Sequence, residues 1–183
     1  HRVTQCWQGG LGRGGGRRAG EDGEGSGERR ANRGAHAGHN AAGVETLRSM
    51  NPAITPELSR TTLAGTFPGD LGIELTEITD DRVLGRMAID RRHLHPGGYV
   101  HGGAWTAFAD TVAAWGTMRN LEPGSGFTTV ELKVNVFAAA RDGDLLEATG
   151  TPLHIGRRTQ VWEVRVALGE RLAANFLCTQ IVL

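Results

Sequence analysis

One acidic side chain, Asp110, lies inside an otherwise uncharged stretch that follows a glycine-rich loop. The loop contains His95, His101 and the glycine pair Gly102 and Gly103. A carboxylate among apolar groups is costly to ionise, so its pKa rises, and a raised pKa suits a general base. Asp110 is therefore a candidate base. A structural role, at a solvated edge or bonded to neighbouring backbone, is the alternative that this stretch leaves open.

The stretch around Asp110 is predicted to be a buried helix. Large apolar side chains recur every three or four residues, at Trp105, Phe108, Val112 and Trp115, which is the spacing of one helical face. The opposite face has only small residues besides Asp110. A helix that is apolar nearly all round belongs in the core, wrapped by other elements.

The glycine pair is predicted to form the N-terminus of this helix. Unobstructed N–H groups and the helix dipole there favour negative charge, which gives Gly102 the outline of an oxyanion hole. Asp110 lies eight residues beyond Gly102, or ~12 Å along the axis. The two cannot contact one carbonyl within a single chain. If both act on one substrate, Asp110 must come from a second, antiparallel copy across a two-fold axis.

The elements that position these residues follow from hydrophobic periodicity. Thr55 and Pro56 mark the start of a short helix that ends near Leu63, with Thr55 as the cap. Alternating residues from Leu71 to Ile89 predict a hairpin that turns at Asp80. After the central helix, three or four more antiparallel strands are predicted, in the segments 129–136, 145–155, 158–168 and 171–182. The fold class is therefore α+β, a sheet curled about one buried helix.

The segment His95-x5-His101-Gly102-Gly103-x6-Asp110 resembles the active-site segment of hotdog-fold acyl-CoA thioesterases of the PaaI type, in the 4-hydroxybenzoyl-CoA thioesterase superfamily. The resemblance extends from about residue 71 to the C-terminus. The segment 129–135 is similar to the third strand of that family, with Val130, Leu132 and Val134 alternating with polar residues. The segment 152–162 is similar to the branch that serves menaquinone and enterobactin pathways.

The resemblance implies roles for the central residues. The thioester oxygen would bind the Gly102 N–H, while Asp110 of a partner chain attacks the carbonyl or deprotonates a water. Thr129 stands where similar enzymes have serine or threonine, and could position the water or the acid. His101 would fix the loop or bond the thioester.

His95 departs from the family pattern, which usually has asparagine or glutamine at this position. An imidazole can also donate to a carbonyl, which predicts a pH-dependent rate; a structural histidine is the alternative. His93, His95 and His101 could also suggest a metal site, but no nearby cysteine or acid completes a ligand set. We therefore expect neither a metal nor a cofactor, since coenzyme A is part of the substrate.

Coenzyme A would be bound by residues at two turns. Arg157 and Arg158 follow Gly156, and their guanidinium groups suit bidentate contact with phosphates. Gly103 adds an N–H at the helix N-terminus. Two arginines on a solvated turn are the alternative interpretation.

At 183 residues the chain has the length of one domain. Residues 1–43 have seven arginines, four acids and almost no large apolar side chains. We predict that 1–43 are a disordered extension and that 44–183 form the hotdog domain. An arginine-rich tail that binds nucleic acid is the alternative for 1–43. The remainder has sixteen acidic and thirteen basic side chains, which argues against nucleic acid as its main partner.

Cysteine usage and hydropathy set the expected compartment. Cys6 and Cys178 are far apart and show no CxxC spacing, so neither a disulfide framework nor a zinc site is predicted. No apolar run reaches the ~20 residues that span a bilayer. We expect a cytoplasmic protein with no membrane partner.

The sequence thus predicts a homodimeric or homotetrameric thioesterase that hydrolyses an aryl- or medium-chain acyl-CoA. A non-catalytic acyl-CoA sensor with the same fold is one alternative, which the retained Asp110 weakens. A hotdog hydratase or dehydratase is another, although such enzymes usually place a histidine differently. The acyl group is not predicted more narrowly, nor is the choice of Asp110 as base or nucleophile.

Overall fold

The computed structural model describes residues 51–183; the predictions for 1–43 lie outside the described residues. Two helices come first, α1 at Pro56–Leu63 and α2 at Phe67–Asp70. Thr55 accepts a hydrogen bond from the Leu58 N–H and caps α1, as predicted. The four-residue helix α2 was not predicted, and the strand expected from Leu71 begins at Ile73.

Six antiparallel strands form one sheet in the order β1-β2-β4-β5-β6-β3. Their bounds are β1 Ile73–Ile78, β2 Val83–Ala88, β3 Phe127–Val136, β4 Leu145–Ile155, β5 Thr159–Leu168 and β6 Arg171–Val182. A short 3-10 helix at Arg91–His93 and a loop lead from β2 to the central helix. The predicted hairpins and the α+β class are confirmed. The four strands after the helix lie within two residues of their predicted bounds, since β3 begins at Phe127 rather than at Thr129.

The central helix α3, Gly102–Arg119, packs into the concave face of the sheet. Trp105, Phe108, Val112 and Trp115 are at most 3% exposed, which confirms the buried stripe. Glycine lets the helix and the sheet approach closely. A Cβ on Gly116 would lie 2.4 Å from the Trp162 ring, a separation that packed atoms do not tolerate.

The strand β3 forms one edge of the sheet, because it pairs only with β6. A register shift between Thr129 and Glu131 places a bulge at Val130. Simple alternation predicted Thr129 on the face opposite Leu132 and Val134, and this was wrong. The extra residue at the bulge turns Thr129 to the helix side, where it pairs with the buried Gln180.

Among residues 51–183, no helix is long and apolar enough to cross a membrane.

Candidate active site

The Asp110 carboxylate lies at the open side of the central helix and faces the edge strand. The Thr129 hydroxyl donates to Asp110 Oδ1 at 3.3 Å. The Cys178 thiol, on β6, lies 4.0 Å from the same oxygen. The bulge at Val130 produces this arrangement, because a regular strand would have turned Thr129 away from the helix.

Burial raises the pKa values of both Asp110 and Cys178. Desolvation raises the pKa of Asp110, while the hydrogen bond from Thr129 opposes that rise. Desolvation, together with the charge of Asp110, raises the pKa of the Cys178 thiol to about 12. The thiol is therefore protonated near neutral pH, and Asp110 is the basic group of the cluster.

The N-terminus of α3 lies at the other end of the helix. His101 caps it, because its Nδ1 accepts from the Gly103 N–H at 2.9 Å. The Gly102 N–H has no acceptor within residues 51–183, and a Cβ added at Gly102 would meet nothing within 4 Å. Gly102 is exposed and its backbone donor is unpaired within residues 51–183, whereas the Gly103 donor is already engaged.

His95 lies half-buried in the loop before α3, beside an apolar hollow of about 340 Å³. Trp105, Val136 and Phe137 contribute to the walls of this hollow. His95 Nδ1 accepts from the Gly97 N–H at 2.9 Å. With Nδ1 an acceptor in both His95 and His101, each neutral ring has its proton on Nε2. Both rings can therefore donate a hydrogen bond from Nε2.

His93 is buried and structural. Its Nδ1 accepts from the Asp90 N–H at 2.9 Å, and its Nε2 lies 2.8 Å from the Leu71 carbonyl oxygen. No group of three or more His, Cys, Asp or Glu side chains within 51–183 is arranged to hold a metal ion. The three loop histidines therefore do not form a ligand set.

The two halves of the predicted site are far apart within one chain. Thr129, which contacts Asp110, and Val136, which lines the hollow beside His95, are seven residues apart on β3. That separation is ~23 Å along a strand. The helix gives ~12 Å between Gly102 and Asp110. One chain therefore does not bring Asp110 to the Gly102 N–H.

The turn between β4 and β5 holds the residues predicted to contact coenzyme A. The Gly156 N–H donates to the Thr159 carbonyl at 2.9 Å, which makes the predicted tight turn. Arg157 and Arg158 are both exposed beyond it. The Arg158 carbonyl accepts from the Val182 N–H, and Val182 pairs with the first residue of β3. The turn therefore lies at the Thr129 end of the edge strand.

Two buried polar residues of β6, Cys178 beside Asp110 and Gln180 beside Thr129, were not predicted to belong to the site. Cys178 was considered only for disulfide and metal chemistry, and Gln180 was not considered. Alternation along β6 places both on the buried face, but the sequence does not show that this face passes Asp110. Both are fully buried.

Comparisons with known proteins identify the family of this chain. The family description "thioesterase superfamily" matches residues 97–174. The proofreading thioesterase EntH of Cronobacter turicensis is 30% identical over 131 residues, which are 70% of this chain and 95% of that protein. The 1,4-dihydroxy-2-naphthoyl-CoA hydrolase of Listeria monocytogenes is 30% identical over 60% of this chain and 89% of that protein. The crystal structure of a thioesterase from Haemophilus influenzae has a TM-score of 0.67 at 28% identity, and covers 70% of this chain and 90% of that one.

An antiparallel sheet wrapped around a central helix is the hotdog fold. The chain belongs to the thioesterase superfamily. It is a thioester hydrolase, as the resemblance of the His95-to-Asp110 segment implied.

Proposed function

We propose that the protein hydrolyses an aryl- or medium-chain acyl-CoA thioester to the free acid and coenzyme A, with Asp110 as general base. The observation that carries the proposal is the half-buried Asp110 carboxylate, held by Thr129 on the open side of the helix. Its raised pKa suits proton transfer from water. The coenzyme A named for the Listeria relative supports this class of leaving group.

The proposed catalytic unit is a dimer. The edge strand β3 exposes large apolar side chains, with Val130, Leu132 and Val136 each 45–52% exposed. Antiparallel pairing of two β3 strands would cover these groups and remove the open edge. It would also place Thr129 and Asp110 of one chain beside Val136 and His95 of the other. Thr129 and Val136, which are ~23 Å apart within one chain, would thereby lie next to each other across the two chains.

The proposed chemistry uses groups from both chains. The thioester oxygen accepts from the Gly102 N–H and from an Nε2–H of His95 or His101, which stabilises the developing oxyanion. The partner's Asp110 takes a proton from water, whose oxygen attacks the carbonyl carbon. The tetrahedral intermediate collapses, the carbon–sulfur bond breaks, and the thiolate leaves and takes a proton to give the thiol. These steps require no metal or cofactor.

The apolar hollow beside His95 supports an apolar acyl group or pantetheine arm. His95 and Tyr99 have ring centroids 6.0 Å apart, and Phe137 is 55% exposed at its rim. Exposed aromatic side chains such as Phe137 bind aryl groups by offset or edge-to-face contact. Small side chains on the helix, including Ala107 and Ala114, leave further room near Asp110.

Arg157 and Arg158 are proposed to bind the coenzyme A phosphates. They lie at the Thr129 end of β3, so the chain that supplies Asp110 would also supply them. Replacing both with alanine should raise KM for an acyl-CoA while leaving KM for the matching N-acetylcysteamine thioester unchanged, since that analogue has no phosphates. An equal effect on both substrates would contradict the assignment.

The decisive assay is thiol release from a panel of aryl- and fatty-acyl-CoA thioesters by the wild type and Asp110→Asn. We expect Asp110→Asn to lose at least ~100-fold in kcat with its circular dichroism spectrum and oligomeric mass unchanged. Full retained activity would contradict the role of Asp110. Tight acyl-CoA binding without thiol release by the wild type would indicate the sensor alternative, and water addition to an enoyl thioester would indicate the hydratase.

A hybrid dimer tests the composite site. One subunit carries Asp110→Asn, and the other carries Gly102→Pro, which removes the N–H donor. A site shared between chains leaves one of two centres intact, so each hybrid dimer should have about half of the wild-type activity. An equal mixture that exchanges subunits at random, in which about half of the dimers are hybrids, should have about a quarter of it. A site within one chain would give no restoration.

A further inference from the structure

A buried side-chain amide, that of Gln180, lies behind Thr129 and has no part in the catalytic steps proposed above. Gln180, on β6, is 0% exposed and lies directly across the ladder from Thr129. Its Nε2 lies 3.4 Å from Thr129 Oγ1. Its Oε1 is buried and has no hydrogen-bond partner within residues 51–183.

An unpaired buried carbonyl oxygen is costly, because it has lost its hydrogen bonds to water and gained none in the protein. Turning the amide round would point the oxygen at Thr129, which could then donate to it. The only proton of the Thr129 hydroxyl would be consumed, and Asp110 would lose its hydroxyl donor and keep only the Cys178 thiol, at 4.0 Å. The amide thus leaves its own oxygen unpaired and keeps the hydroxyl proton free for the carboxylate.

Counting donors and acceptors fixes the direction of the two hydrogen bonds that link Gln180, Thr129 and Asp110. Thr129 Oγ1 accepts from the Gln180 amide and donates to Asp110 Oδ1 at 3.3 Å. A hydroxyl that accepts one hydrogen bond has its single proton left for the second partner. The order Gln180 to Thr129 to Asp110 is therefore fixed by the amide.

We propose that Gln180 is a positioning residue of the thioesterase site, which acts through Thr129 to direct a hydrogen bond at Asp110. The proposal rests on the proposed role of Asp110. It concerns a residue in the wall of the site, two positions along β6 from Cys178.

The other titratable groups near Asp110 do not share this role. Cys178 faces Asp110 from β6 and stays protonated below its pKa of about 12. Glu131, on β3, accepts from the Thr179 hydroxyl at 2.8 Å, and its charge helps to raise the pKa of the Cys178 thiol. No lysine, arginine or histidine within 51–183 forms an ion pair with Asp110. The Thr129 hydroxyl is therefore the group that favours the ionised form of Asp110.

The test replaces Gln180 with methionine, which keeps the length and removes both polar atoms. We expect the pKa of Asp110 to rise by about half a unit or more, measured from the 13C carboxyl resonance that Asp110→Asn removes. The acid limb of kcat/KM should move by the same amount, and kcat should fall about tenfold with little change in KM.

Gln160→Met is the matched control. Gln160 is 1% exposed on the neighbouring strand and pairs with Gln180 in the ladder. Its amide bonds Trp162 and the Asn120 carbonyl, not Thr129. We expect a comparable loss of thermal stability, with neither the carboxyl titration nor the acid limb displaced. Equal effects of the two substitutions would show a merely structural role and overturn the proposal.

The wild type gives a readout that needs no change at position 180. The Gln180 side-chain amide protons should titrate with the midpoint of Asp110, and Thr129→Val should abolish that coupling. Absence of the coupling in the wild type would overturn the proposal even if Gln180→Met failed to fold. In Gln180→Met, the pKa of the Asp110 carboxyl could shift while the acid limb of kcat/KM stays in place. That outcome would support the positioning role of Gln180 and contradict Asp110 as the general base.

Discussion

The Thr129 hydroxyl donates to the Asp110 carboxylate at 3.3 Å and so joins the central helix to the edge strand of the sheet. The contact exists because a bulge at Val130 turns Thr129 inward. The same strand exposes the apolar residues through which we propose that two chains associate. One element, β3, therefore contacts the acid and carries the proposed dimer interface.

The first prediction concerns the pH dependence of the rate. A base works in its ionised form, so kcat/KM should fall as pH drops through the pKa of Asp110. Burial raises that pKa above its ordinary 3.8, so the acid limb should lie above pH 3.8. Thr129→Val should move the limb higher still, because the Thr129 hydrogen bond lowers the pKa. Initial rates at saturating and low substrate between pH 3.5 and 8 measure it, and a limb below pH 3.8 would contradict Asp110 as the base.

The second prediction is that Asp110→Asn stabilises the fold while it removes activity. A carboxyl whose pKa is raised on folding binds its proton more tightly in the native state, so stability falls as pH rises through that pKa. Asparagine has no such titration and can still accept from Thr129. We expect Asp110→Asn to be more stable at pH 7 by about 0.5–2 kcal/mol, with the gain vanishing near pH 4. Denaturant unfolding at both pH values measures this, and a loss of stability at pH 7 would contradict it.

Much of this structure could be predicted from the spacing of residues. The stripe of Trp105 to Trp115 identified the buried helix, and alternation with glycine turns located the strands. The bulge at Val130 could not be predicted, because one extra residue leaves no periodic signal. Gln180 was missed for a related reason, since its contact with Thr129 joins strands 51 residues apart. Such neighbours depend on ladder register, which local patterns do not encode.

The third prediction concerns the open edge of the sheet. Leu132→Glu should dissociate the dimer, because it would place a charge in a buried interface at several kcal/mol. Activity should fall with it, since the monomer lacks the partner's Asp110. Phe67→Glu is the control, because Phe67 is 67% exposed on α2 rather than on β3. Light scattering and thiol release are measured on the same samples, and an active Leu132→Glu monomer would contradict the composite site.

The last prediction separates the Gly102 N–H from the space around it. Gly102 is the first residue of α3 and follows His101, whose φ of −68° and ψ of 143° are those favoured before proline. Gly102→Pro should therefore leave the helix intact, since proline is common at this position, and remove only the donor. We expect a loss of about 100- to 1,000-fold in kcat, as when one oxyanion-hole donor is deleted.

Gly102→Ala is the control, because it keeps the N–H and its Cβ would meet nothing within 4 Å. It should therefore unfold at the wild-type temperature and retain most activity. Equal rates for the two variants would show that the carbonyl is polarised elsewhere, with the Nε2 donors of His95 and His101 the remaining groups.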